Sequence, residues 1–396
     1  MAYQKPNKLY YRITQAAAWV VSTLMFKRRF LRNEIKRANG PFVVIANHQA
    51  SLDFVNLIGA TARPMTFVIS NSFYNTLPIK GIMNKIGVIP KQQFQTTLKD
   101  MKAIKAVVDS GQPVVIYPAG LMCEDGLSTP IPEATYKFLK WLNVDVYMAR
   151  TQGSYFVMPK WTGGMRAGRT TIDIYRLFSR EELAAADLET VKQKTDEALL
   201  FDAYREQETA MVKYQNNHNI VGLENVLYQC PHCEAEFTMQ AEGESVIACA
   251  ACGFRQESDA YGFLHKRGEG AEVRYVSDWS QWIHRKLKEK LKAGKETVLS
   301  TKAAIHMIDY AKNKFVPVGS GTVTLSPTGF FIEGEIAGEA TTLTVPTVNV
   351  PCLPFSPGKY FEIQHGSAIY RCLPEDGRLV MKFIRMIKIF HELNNE

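Results

Sequence analysis

Between residues 42 and 180 the chain alternates short apolar runs with helical periodicity, and this alternation constrains the fold more than any other feature. The runs 42–46 (FVVIA), 114–117 (VVIY) and 144–148 (VDVYM) are short enough to read as buried strands. Residues 170–175 (TTIDIY) alternate polar and apolar, as a strand with one wet face does. Between them, 97–108 has helical periodicity and meets a capping glycine at Gly111, and 133–142 begins a helix just after Pro132. The pattern predicts an α/β fold, a mixed sheet flanked by helices, closed by a polar helical stretch over 181–217. A single core stops growing near ~250–300 residues, so 396 residues imply further domains. We read a basic N-terminal docking helix at 1–37, the α/β domain at 38–222, a cysteine module at 223–270 and a β-rich domain with a C-terminal helix at 271–396.

The N-terminal segment sets an apolar stretch, 13–26 (ITQAAAWVVSTLMF), between two basic clusters. A spanning helix needs ~20 apolar residues, so this one is too short to cross a bilayer. Lys27-Arg28-Arg29 follows it where a secretory signal would carry small residues, so no signal peptide is expected. A helix here would lay Trp19, Val20, Leu24 and Phe26 into lipid and set its Lys and Arg groups at anionic headgroups. The competing reading is a helix packed on its own domain. The net charge of +8, 47 basic against 39 acidic side chains, suggests an acidic partner (anionic lipid, acidic carrier protein, phosphorylated substrate or nucleic acid) or else a solvated basic surface.

Just past the strand 42–46 comes Asn47-His48-Gln49-Ala50-Ser51-Leu52-Asp53, then an apolar helical run. Open α/β sheets place their sites at the carboxyl ends of strands. Ser51 is placed to cap the next helix, and Asp53 falls in its first turn, where the helix dipole favours a carboxylate. A carboxylate that accepts from one imidazole nitrogen leaves the other as a general base. The bland alternative is a His and an Asp that merely close a turn.

Asn47-His48-x4-Asp53, with Ile116-Tyr117-Pro118-Ala119-Gly120 further on, resembles the glycerolipid acyltransferase superfamily, specifically the 1-acylglycerol-3-phosphate O-acyltransferases. The resemblance spans about residues 9–215 and includes the basic N-terminal helix, which is similar to the family's membrane-docking element, and Tyr155-Phe-Val-Met-Pro159, which is similar to its fourth block. It implies His48 and Asp53 as catalytic residues and Asn47, Lys91, Ala119, Gly120 and Pro159 as substrate-binding. It also implies acyl-CoA or acyl carrier protein as acyl donor. Two blocks depart from the family pattern. The third usually reads Pro-Glu-Gly-Thr-Arg and here reads Pro118-Ala119-Gly120-Leu121-Met122. The second usually carries an Arg for the acceptor phosphate and here has Lys91, a point charge without the bidentate fork. Glu124 and Asp125 either replace the lost acid or are ordinary loop residues.

Cys230-x2-Cys233, fifteen residues, then Cys249-x2-Cys252 has the spacing of a four-cysteine zinc ribbon. Four thiolates leave no open coordination position, so the zinc is read as structural, with His232 a bystander. Glu234, Glu236, Glu242 and Glu244 make the module acidic, so no nucleic acid is expected as a partner. Cys123, Cys352 and Cys372 are isolated, and the odd count of seven indicates a reducing, cytosolic compartment.

From residue 272 a charged helix over 279–291 precedes short β-branched and aromatic runs divided by turn signals, and an amphipathic helix over 379–393 ends the region. That texture predicts a small β-barrel of the pleckstrin-homology-like kind. Lys382–Lys388 reads either as part of a membrane-facing surface or as solvated charge. Together the features predict a peripheral O-acyltransferase on the cytoplasmic face of a membrane, moving an acyl group from a thioester to a lysophospholipid-like hydroxyl. The alternative is a non-catalytic lipid-binding or scaffold protein on the same fold.

Overall fold

The computed structural model describes residues 5–93, 97–214 and 220–395. The chain divides into two compact units, Met1–Lys160 with Gly164–Asn216, and Trp161–Gly163 with Asn217–Glu396.

The first unit opens with α1 (Lys8–Leu24), β1 (Arg29–Asn33), β2 (Phe42–Ala46), α2 (Asp53–Ile58), β3 (Thr66–Ser70), α3 (Asn71–Thr76), α4 (Lys80–Lys85) and β4 (Ile89–Lys91). It continues through α5 (Leu98–Asp109), β5 (Val114–Ile116), α6 (Ala134–Leu142), β6 (Asp145–Gln152), the short α7 (Ser154–Val157) and β7 (Thr171–Phe178). Three polar helices close it: α8 (Arg180–Ala185), α9 (Leu188–Leu199) and α10 (Ala203–Ala210). The expected helical stretch 181–217 is thus three helices, and its tail at 215–217 lies outside the described residues.

Seven strands form one mixed sheet in the order β1-β7-β6-β2-β5-β3-β4. β6, β2, β5, β3 and β4 run parallel, while β7 pairs antiparallel with β6 and β1 runs beside β7. The carboxyl ends of the five parallel strands therefore share one edge. β2 is buried along its whole length, as its unbroken apolar run requires when helices cover both faces of a sheet. Val43, Ile45, Val114 and Ile116 pack with α5, α6 and α9 on one face. Val44, Ala46, Leu57, Phe67 and Val115 pack on the other. A capping box starts α5: Asp100 N donates to Thr97 Oγ1 at 3.2 Å and Thr97 N to Asp100 Oδ2 at 3.3 Å.

α1 packs against α2 and α4. Gln15 Nε2 donates to Ile58 O and Thr61 O at 3.2 and 2.8 Å, and Met65 N donates to the buried Tyr11 hydroxyl at 3.0 Å. The opposite face of α1 exposes Leu9, Ile13, Trp19, Val20 and Leu24, with Trp19 59% and Leu24 72% exposed. Phe26 corrects the expectation that it reaches lipid. It is fully buried, because the chain leaves the helix at Met25 and turns inward. Among the described residues no helix is long and apolar enough to cross a membrane.

The second unit begins with a four-stranded antiparallel sheet, β8 (Met239–Glu242), β9 (Val246–Cys249), β10 (Arg255–Ser258) and β11 (Leu264–Arg267). After α11 (Val276–Lys292) come β12 (Leu299–Asp309), β13 (Lys314–Leu325), β14 (Gly329–Ile336), β15 (Glu339–Pro346), β16 (Phe355–Ser356), β17 (Tyr360–His365) and β18 (Ala368–Pro374). They pair antiparallel in the order β15-β14-β13-β12-β18-β17-β16, and α12 (Leu379–Asn395) ends the chain. The expected barrel is not what this sheet shows. β15 and β16, at its two ends, do not pair with each other among the described residues, so the sheet is open. The expected runs 316–318 and 321–325 are one strand, β13. Its glycines permit close approach to β14: a Cβ on Gly321 would sit 2.6 Å from the Glu333 carbonyl oxygen.

α12 also corrects an expectation. It is buried on nearly all sides, and Lys382 (7% exposed) and Arg385 (3%) lie inside rather than at a membrane or in solvent. Lys382 Nζ donates to Glu236 Oε2 at 2.6 Å and Glu296 Oε2 at 2.9 Å. Lys290 Nζ completes the four-membered cluster at 3.0 and 3.1 Å from the same two carboxylates. Arg385 donates to Ser280 O and Oγ at 3.1 and 2.8 Å. These two charges of the 382–388 stretch are spent internally and are no membrane face. Breaking a buried pair costs about 3–5 kcal/mol. Lys382→Met should cost less, about 1–2 kcal/mol, because Lys290 still faces both carboxylates and Glu296 keeps access to water. A denaturant midpoint equal to wild type would contradict this account.

Candidate active site and four-cysteine cluster

β2 delivers its last residue, Ala46, to the shared carboxyl edge, and the next residues build the site. The Asn47 amide donates to Thr151 O and accepts from Thr151 N, both at 2.8 Å, and so ties the end of β2 to β6. His48 then projects from the turn with its side chain 19% exposed. Its Nδ1 lies 3.0 Å from Asp53 Oδ2. The same oxygen accepts from Gln49 N at 2.7 Å and Ala50 N at 2.8 Å. Asp53 is fully buried at the first position of α2. The carboxylate thus stabilises the turn and the imidazole together. Because it accepts, it keeps the proton on Nδ1 and leaves Nε2 as a base. Nε2 makes no hydrogen bond among the described residues.

Ser51 corrects the expected capping role. The residue that caps α2 is Leu52, without a side-chain bond, while Ser51 Oγ donates to Met158 Sδ at 3.3 Å. That contact brings the 155–159 segment, with its buried Pro159, beside the turn. The 117–120 turn follows β5, the strand adjacent to β2. Gly120 has φ 69°, and its N–H donates to Tyr117 O at 3.0 Å. This N–H is therefore engaged within its own turn. Ala119 lies half-buried in the same turn.

Lys91 ends β4, three strands from β2, or about 14 Å at the usual strand spacing. The structure therefore does not place its backbone beside the dyad. Burial lowers the Lys91 pKa, against a smaller raising influence from Asp100. Gln93, unremarked in the sequence, joins the second block to the third: its Nε2 donates to Gly120 O at 2.5 Å. Tyr117 adjoins Pro118 in the motif, and its position there gives no sign of the role its ring takes. Its ring lies against His48 with centroids 4.5 Å apart. Cys123 donates its backbone N–H to His48 O at 3.2 Å. Its thiol is pushed well above the usual range by burial first, then by Asp125 and Glu124, which makes it a poor nucleophile. Glu124 and Asp125 are themselves buried.

The second cluster stands on the ribbon sheet. The Sγ atoms of Cys230, Cys233, Cys249 and Cys252 all lie within 4.8 Å of one another. Cys230–Cys252 and Cys233–Cys249 are 3.7 and 3.8 Å apart. Four thiolates at ~2.3 Å from one metal ion have a tetrahedral edge of about 3.8 Å, so the set fits such an ion and is far from disulfide distance. The two knuckles share a turn. Gly253 takes φ 76° just after Cys252, and Glu234 takes φ 60° at the equivalent place after Cys233. His232 N donates to Cys230 Sγ at 3.4 Å and Thr238 Oγ1 lies 3.2 Å from Cys249 Sγ, contacts that support thiolate charge. The His232 ring stacks on Phe254 and is not among the clustered donors.

Comparison with known proteins gives a family match over part of the chain. Residues 27–161 match the Acyltransferase family model. This segment is an acyltransferase-family domain. It holds the dyad turn, the 117–120 turn and the segment ending in Pro159, so the superfamily resemblance holds at the level of the family. The crystal structure of the 1-acyl-sn-glycerophosphate (LPA) acyltransferase PlsC from Thermotoga maritima is 14% identical, over 50% of this chain and 79% of that one, with a TM-score of 0.43. No curated protein matches the chain.

Metal analysis of the purified chain should find one ion per molecule. Cys249→Ser should lose it and lower the thermal midpoint of the second unit. Full stability without bound metal would refute the four-thiolate reading.

Proposed function

We propose that the chain is a peripheral membrane O-acyltransferase that moves a fatty acyl group from an acyl thioester, acyl-CoA or acyl carrier protein, to the hydroxyl of a lysophospholipid-like acceptor. The observation that carries this reading is the His48–Asp53 dyad within an acyltransferase-family domain, its imidazole oriented by a carboxylate that accepts three hydrogen bonds. His48 Nε2 takes the acceptor's hydroxyl proton as the oxygen attacks the thioester carbonyl. A C–O bond forms, the C–S bond breaks, and the imidazolium returns its proton to the departing thiolate. Asp53 stabilises the imidazolium without being protonated. No acyl-enzyme is required.

Lys91, Ala119 and Pro159 line the acceptor and donor paths in this reading, and Asn47 and Gly120 hold the turns that form them. The lysine in place of the family's arginine, and Ala119 in place of its acid, favour an acceptor other than lysophosphatidate. They also favour the second reading, a lipid-binding relative whose dyad is idle.

Charge placement supports membrane docking. Residues 1–105 hold 16 Lys and Arg against 3 Asp and Glu, so the rest of the chain is net negative. The exposed apolar stripe of α1 lies within that basic stretch, the pairing that interfacial helices use. The four-cysteine cluster binds zinc structurally, which favours a reducing, cytoplasmic setting.

Free-thiol release from acyl-CoA and acyl carrier protein, with vesicles carrying mixed lysolipids, tests the activity. His48→Gln should lower acceptor-dependent release by about a thousandfold, with the fold unchanged by circular dichroism. Retained turnover would sink the assignment, and no release by wild type across a broad panel would favour the idle-dyad reading. Trp19→Glu should weaken binding to anionic vesicles at least about tenfold. Sedimentation equal to wild type would argue against docking through α1.

A further inference from the structure

The His48 ring is held from one edge by Asp53, and a single hydrogen bond leaves it free to tilt about that contact. A second constraint comes from β5. Tyr117 follows the strand beside β2, and its ring lies over the imidazole at 4.5 Å between centroids, with the planes 35° apart. Tyr117 packs with the core cluster of Val44, Phe67 and Val115, so the wall behind the imidazole is anchored in the sheet rather than in a mobile loop. Among the described residues its buried hydroxyl makes no hydrogen bond, and Asp53 Oδ1 is in the same condition. An orphaned hydroxyl contributes nothing favourable to folding, so what the structure uses is the ring.

We propose that Tyr117 is a positioning residue for the His48 base: its ring clamps the imidazole in the plane that keeps Nδ1 on Asp53 and turns Nε2 toward the acceptor hydroxyl. This deepens the acyltransferase reading and rests on it for its kinetic arm only. Tyr117 touches the base and not the reacting atoms. Asp53 is the charged group bonded to the imidazole, and its charge also acts on the Tyr117 hydroxyl.

Two variants and two readouts test it. Tyr117→Phe keeps the ring and should hold kcat within about threefold of wild type, with equal or higher thermal stability. Tyr117→Leu removes the ring and should lower kcat about tenfold or more, with KM for donor and acceptor unchanged. Nitrogen-15 NMR of His48 reads the clamp without reference to turnover. Wild type and Tyr117→Phe should show one tautomer, protonated at Nδ1, and Tyr117→Leu a mixture of both. A single tautomer in Tyr117→Leu with wild-type kcat would overturn the proposal. So would a Tyr117→Phe variant as impaired as Tyr117→Leu, and this arm holds even if leucine fails to fold. If wild type shows no acyl transfer, the reaction assignment fails, and the tautomer comparison still decides the clamp.

Discussion

One oxygen, Asp53 Oδ2, organises the candidate site. It accepts from the Gln49 and Ala50 backbone N–H groups and from the His48 ring. The first two bonds fix the path of the chain between β2 and α2, and the third anchors one edge of the imidazole to that path. Asp53 stands at the start of α2, where the local dipole favours negative charge. A side chain without an acceptor oxygen in this place would lose both the turn and the base's orientation. The remaining contacts add to this nucleus: Asn47 ties the turn to β6, Ser51 ties it to Met158, and Tyr117 presses on it from β5.

The second unit solves a different problem. A small ribbon has too little apolar area for a core of its own, and it compensates in two ways. Four thiols converge at metal-binding distance, and Glu236 joins a half-buried cluster with Lys290, Glu296 and the buried Lys382. Trp279 of α11 adds an apolar anchor, donating from Nε1 to Gln229 O at 2.9 Å. The ribbon, α11 and α12 are thereby one packed body.

Much of this was legible in the chain. The strands at 42–46 and 114–117 announced themselves because parallel strands buried on both faces are continuously apolar. The cysteine spacing identified four residues that the fold brings together. β1 was missed because it is a polar, exposed edge strand, and β12 because Ser, Thr, Lys and His interrupt its alternation. Phe26, Lys382 and Arg385 were misplaced for a common reason. Composition reports a residue's character but not whether a partner waits for it inside.

The sequence by itself determined the α/β character of the first unit, the His48–Asp53 pair and the four-cysteine set, because each depends on local spacing or local periodicity. Only the tertiary structure decided that Tyr117 lies on His48, that Gln93 meets Gly120, that Lys91 ends three strands from the dyad, and that the second sheet stays open. Those facts depend on strand order and pairing. Strand order is set by how whole faces pack against one another, and no short stretch of sequence encodes it.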